Sequence, residues 1–133
     1  MDISEWISYS SEDLEVAGIL RESGKYKLSA LHSNQSAEKM LKACYYSLRE
    51  NQAARNEYTH DLVALVRNIR NNRKNFPDVM NPAYHLNRYY VDVKYPDNGD
   101  QEVDYEKSVE LLDYAWEIYN LCMEWLERQG YRY

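Results

Sequence analysis

The stretch Tyr26–Leu48, YKLSALHSNQSAEKMLKACYYSL, decides the fold. Ala30, Ala37, Leu41, Cys44 and Leu48 recur at steps of three, four and seven, so a helix gathers them on one face. Gln35, Glu38, Lys39 and Lys42 fill the gaps at one-turn spacings. Small residues beside an amide, a carboxylate and two ammonium groups describe a tightly packed helix with a polar cluster near its core face. Gln35 and Glu38 read as structural members of that cluster.

Outward from this helix, four glycines and three prolines punctuate the chain. The first helix is expected over Ser4–Ser23, turned inward through Trp6, Leu14, Ala17 and Leu20 and stopped by Gly24. The second covers Tyr26–Glu50; the short turn between them makes the two antiparallel neighbours. After the polar connection NQAARNEYT, Thr59 or Asp61 can cap a third helix striped by Leu62, Leu65, Val66 and Ile69. That helix dissolves into RNIRNNRKN and ends before Phe76-Pro77. A short helix is expected over Pro82–Val91, with Leu86, Tyr89 and Tyr90 inward or at a seam. KYPDNGD at Lys94–Asp100 is the strongest loop. The last helix, Asp104–Gln129, carries two apolar stripes. Tyr105, Val109, Leu112, Trp116, Tyr119, Met123 and Leu126 form one; Leu111, Ala115, Ile118, Cys122 and Trp125 form the other. A band that wide can serve both a core and a subunit contact. No segment alternates with period two, so the chain reads as one all-α domain over 1–133. Its architecture is an up-and-down antiparallel bundle of four main helices plus a short one.

Composition narrows the function. A chain of 133 residues builds one core, and a net charge of −6 argues against general coating of nucleic acid while allowing a local basic groove. The basic cluster is Arg67, Arg70, Arg73 and Lys74, either a solvated helix end or a contact for RNA backbone or an acidic partner. Fourteen tyrosines against one phenylalanine suit half-wet seams. Cys44 and Cys122 fall on apolar stripes and read as buried free thiols. No Cys/His spacing indicates a metal or cofactor site, and no apolar run reaches membrane-spanning length; a cytoplasmic location is the expectation. His32 and His85 show no partner in the sequence and read as surface or seam residues.

The ordered pieces together resemble the HEPN family (higher eukaryotes and prokaryotes nucleotide-binding). They are Asp13-Leu14 with Ala17, Gly24-Lys25-Tyr26, Ser36-Ala37-Glu38-Lys39-Met40-Leu41-Lys42-Ala43, Thr59-His60-Asp61-Leu62 with Leu65, and Lys94-Tyr95-Pro96-Asp97. The third is close to the family's AAEKALKAL helix, the fourth to its H-x-L-x-x-L start, the fifth to its RYPD loop. The resemblance implies a helical bundle that commonly forms homodimers. It also implies a ribonuclease with an Arg-x(4–6)-His motif, a two-gene toxin–antitoxin pair with a minimal nucleotidyltransferase, or a non-catalytic module that binds nucleotides or proteins.

Arg55-Asn56-Glu57-Tyr58-Thr59-His60 matches Arg-x(4)-His. Cleaving RNA without a metal needs a group that moves the ribose 2′-hydroxyl proton, and histidine titrates near neutrality. It also needs a cation for the crowded phosphate, which arginine suits, and Asn56 can orient either. Alternatively, His60 bonds a buried polar group such as Glu38 and fixes the third helix to the second. Lys39 and Lys42, with Lys94 and Tyr95 at the family's Arg-Tyr position, are candidates for a nucleotide phosphate. Against that, Glu38 and Lys42 have the spacing of an ordinary i,i+4 ion pair.

Overall fold

The computed structural model describes residues 2–48, 59–94 and 102–131, the side chains of 90–94 excepted. Within them lie five helices and no strand: α1 (Ile3–Glu22), α2 (Tyr26–Tyr46), α3 (Leu62–Asn72), α4 (Met80–Lys94) and α5 (Tyr105–Arg128). The all-α bundle expected from the sequence is what forms.

Aspartates start three of the helices. Asp2, Asp61 and Asp104 each accept the backbone N–H three residues on, and each such cap contributes about 1 kcal/mol. Glycine ends two of them. Gly24, at φ 78°, lets Lys25 N–H return to the Leu20 carbonyl at 2.8 Å. Gly130, at φ 94°, does the same for Tyr131 and Leu126 at 3.2 Å.

Three boundaries depart from the sequence reading. α2 ends at Tyr46, where Ser47 caps it by bonding its hydroxyl to the Cys44 carbonyl at 2.6 Å; Glu50 lies outside the described residues. The Pro82 helix is not the short one. It spans 15 residues, running past Val91 to Lys94, which ends the helix rather than opening the loop, and it starts at Met80, whose N–H is taken by the Asp78 side chain at 3.1 Å. Pro82 sits in the first turn, where a missing N–H costs nothing. The shortest of the described helices is α3, with 11 residues.

α2 is the central element, touching α1, α3, α4 and α5, and 12 of its 21 residues are buried. Ala30, Ala37 and Ala43 are buried in this core, and Met40, Leu41 and Leu48 share it with Leu65, Ile69, Leu111 and Ile118. Each large aliphatic removed from water there contributes roughly 2 kcal/mol. Serines make the contact with α1. Ser10 Oγ donates to the Ser36 carbonyl at 2.8 Å, Ser36 Oγ donates to the Ser10 carbonyl at 2.9 Å, and Ser29 Oγ donates to the Ala17 carbonyl at 2.7 Å. Side chains this short reach the opposite backbone only when the helices run close.

On α5 the stripe Leu111, Ala115, Ile118, Cys122, Trp125 is the buried one; in the other, Tyr105 and Trp116 stay exposed while Leu112 and Leu126 are buried. The chain after α3 is pinned by Phe76, packed edge-on against Trp125 at 5.0 Å, and by Asn75, which accepts from Trp125 Nε1 at 3.1 Å.

Candidate functional site

The site is built from the last turns of α2, the first turns of α1 and the residue pair before α3. Asp61 caps α3, and its carboxylate also accepts from Asn87 Nδ2 of α4 at 2.8 Å. Asn87 Oδ1 in turn accepts the Leu62 N–H at 2.9 Å. The Asn87 bond, helped by the Ala64 and Val63 N–H groups and the Arg67 charge, holds the Asp61 carboxyl below the usual aspartate range. This lock sets the start of α3 and with it the preceding residue, His60.

Glu38 of α2 receives His60. Its carboxylate accepts from His60 Nδ1 at 2.9 Å and from Lys42 Nζ at 2.9 Å. The Glu38 and Lys42 side chains are 12% and 6% exposed, whereas that of His60 is 57% exposed. The ammonium of Lys42 also lies 5.7 Å from the centre of the Trp6 ring, which stacks on Tyr46 at 5.9 Å and 13°. Trp6 Nε1 is buried and has no hydrogen-bond partner among the described residues. Chemically, a carboxylate that takes Nδ1–H places the lone pair of a neutral imidazole on Nε2, the form suited to accept a proton.

A second cluster stands one turn away on the α1 side. Asp13 is buried, and its two oxygens accept from His32 Nδ1 at 2.9 Å and Lys39 Nζ at 2.6 Å. Lys39 passes 5.7 Å from the Tyr9 ring centre.

Of the residues singled out from sequence, Glu38, Lys42 and His60 come together. Gln35 lies half-buried on the same helix, and Lys39 is drawn instead to Asp13. Arg55, Asn56 and Tyr95, and the side chain of Lys94, lie outside the described residues. Both the Glu38–Lys42 pair and the His60–Glu38 bond have the form read from the sequence.

The reading of His32 and His85 as partnerless needs correcting. His32 belongs to Asp13, and His85 donates from Nδ1 to the Asn81 carbonyl at 2.9 Å and stacks on Tyr114 at 4.9 Å. The sequence did carry a signal for the first. Asp13 interrupts the buried face Ser10–Leu14–Ala17, and a carboxylate there requires a cation.

Of the basic cluster, Arg70 donates to the Phe76 carbonyl at 3.2 Å and Arg73 to the Asn72 carbonyl at 2.9 Å, both serving the turn after α3; Arg67 and Lys74 are exposed. Cys44 and Cys122 are buried free thiols that meet between α2 and α5. Burial first, then the neighbouring Cys122, pushes the Cys44 thiol up and keeps it protonated.

No helix is long and apolar enough to cross a membrane among the described residues.

Two crystal structures share this architecture. TT1696 from Thermus thermophilus superposes with a TM-score of 0.79 at 22% identity, covering 93% of this chain and 98% of that one. ST0689, an archaeal HEPN homologue, gives 0.71 at 23% identity over 93% and 97%. At these identities the likeness carries the fold and nothing of the activity. No curated protein matches. The HEPN domain model, however, runs through residues 3–126, from the first residue of α1 nearly to the end of α5. The chain belongs to the HEPN domain family.

Proposed function

We propose that this HEPN protein is the RNA- or nucleotide-interacting component of a prokaryotic toxin–antitoxin or defence system. Its action on RNA is metal-independent cleavage centred on His60. The observation that carries the reading is the 57% exposure of the His60 side chain at the motif position; its Nδ1 bond to Glu38 is one that a purely fastening histidine makes as well. Nε2 then takes the proton of a ribose 2′-hydroxyl, and the phosphate charge is met by Arg55, with Asn56 assisting, as the family motif implies. A homodimer, also a family expectation, sets two such groups along one RNA.

RNA cleavage by the wild type, His60→Ala and His32→Ala tests this. Loss of a general acid–base group lowers the rate by roughly a hundredfold or more, so His60→Ala is expected to fall that far while His32→Ala cleaves normally. Equal cleavage by wild type and His60→Ala removes His60 from the chemistry.

One observation favours a second reading, a non-catalytic module that pairs with a minimal nucleotidyltransferase. Lys39 and Lys42 each face a carboxylate of this chain at 2.6 and 2.9 Å, the arrangement of internal fasteners. Under that reading neither protein cleaves RNA, and co-expression with the neighbouring gene product yields a stable complex.

A further inference from the structure

About 18 Å along α1 from Trp6, counting 1.5 Å per residue, α1 and α5 part to leave an open groove. Its volume is about 560 Å³ and its walls include Leu14, Gly18, Ile19, Leu112 and Trp116. Ile19 is 58% exposed and Trp116 43%, so two large apolar side chains face water on either side of it. Tyr119, edge-on to Trp116 at 5.7 Å, extends the apolar surface along α5.

Gly18 adds a separate observation. It lies in the body of α1 with ordinary helical backbone, and a Cβ there would meet nothing within 4 Å. A glycine inside a helix costs stability that alanine would spare. Nothing among the described residues requires it; an outside element lying close against the α1 backbone would.

Charge selects the occupant. Glu15 and Glu22 line the groove, and Asp113 and Glu117, both exposed, flank Trp116 on α5. Arg21, the cation in the lining, is engaged by Glu22 at 3.2 Å and lies 6.0 Å from the Tyr105 ring centre. A symmetric pairing of two copies through this face would bring one acidic-rimmed patch, with Glu15 and Glu22, onto another of the same charge. A helix with apolar residues on one side and lysines or arginines on the flanks meets both the apolar floor and the acidic rim.

We infer that the α1–α5 groove is a docking site for a basic amphipathic helix of a partner protein, separate from the His60 site. The probe is a synthetic peptide of about 20 residues, long enough to hold a helix, with leucines at helical one-face spacing and lysines elsewhere. A control peptide carries glutamates in place of the lysines. Calorimetric titration of the full chain is expected to show saturable binding of the lysine peptide and none of the glutamate peptide. Trp116→Ala is expected to weaken binding about tenfold or more, as loss of an aromatic anchor does. Gly18→Ala is expected to raise the thermal midpoint of the free chain while weakening the peptide, a combination that misfolding cannot produce. The inference is overturned by undiminished binding to both variants, or by equal binding of the glutamate peptide. It is also overturned by a wild-type dimer that Trp116→Ala or Gly18→Ala converts to monomer, which would make a second copy the occupant. None of these outcomes depends on RNA cleavage.

Discussion

Two regions of α2 hold the same three chemical groups in different ways. At the α1 seam, Asp13 joins His32 and Lys39; at the α3 entrance, Glu38 joins His60 and Lys42. In the first, the carboxylate is the most buried member, at 9% side-chain exposure, and the imidazole and the ammonium reach water at 30% and 29%. In the second, the lysine is the most buried, at 6%, and the histidine is the outermost, at 57%. The Asp13 cluster spans two helices already fixed by the Ser10–Ser36 exchange, so its imidazole has little to do but fasten. The Glu38 cluster buries a charge pair beneath an exposed imidazole at the start of a helix. Equal composition thus gives a cluster with a buried carboxylate in one place and one with a buried ammonium and an outward imidazole in the other.

The difference predicts which carboxylate matters more to stability. Glu38→Gln keeps the shape but strips the counter-charge from a lysine with almost no access to water. Breaking such a buried pair is expected to cost about 3 kcal/mol in urea unfolding. Asp13→Asn leaves Lys39 and His32 with water within reach, so a smaller loss, about 2 kcal/mol, is expected in the same experiment. A larger loss for Asp13→Asn would reverse the assignment of the two clusters. His60→Ala removes a hydrogen bond to the nearly buried Glu38 and is expected to cost about 1 kcal/mol, small enough to leave the variant folded and its cleavage phenotype interpretable.

How much of this was legible in the chain follows the same distinction. Periodicity placed the helices because the apolar residues of α2, α3 and α5 repeat on single faces, and local spacing exposed the Glu38–Lys42 pair. The Glu38–His60 bond was legible too, as the fastening alternative to a catalytic His60. The Asp13–His32–Lys39 cluster was not found, although Asp13 stood out on a buried face. Its partners lie 19 and 26 residues away, and only the crossing of α1 over α2 brings them together. The serine contacts were missed for a related reason: alanines advertise close packing, but which small residues face which helix depends on rotation that composition does not encode. Pro82 marks a helix start in the sequence, but the Asp78 side chain begins α4 two residues earlier, at Met80.

Smaller than the effect at either carboxylate cluster is that of the lock that sets His60 in place. Asp61→Ala removes the α3 cap and is expected to cost about 1 kcal/mol, while Asp61→Asn, which still caps and still faces Asn87, should stay within about 0.5 kcal/mol of wild type at pH 7. The two differ from wild type in their pH dependence. The Asn87 bond holds the folded carboxyl below the usual range, so folding favours the ionised form. That contribution is complete above the unfolded aspartate value, about pH 4, and is lost as pH falls through the lower folded value. Urea midpoints from pH 7 to pH 3 should therefore show wild type losing an increment that Asp61→Asn does not lose. Parallel curves would mean that the Asn87 contact is made equally well by the protonated acid. The start of α3, and the setting of His60 with it, would then owe its position to the neutral hydrogen bonds alone.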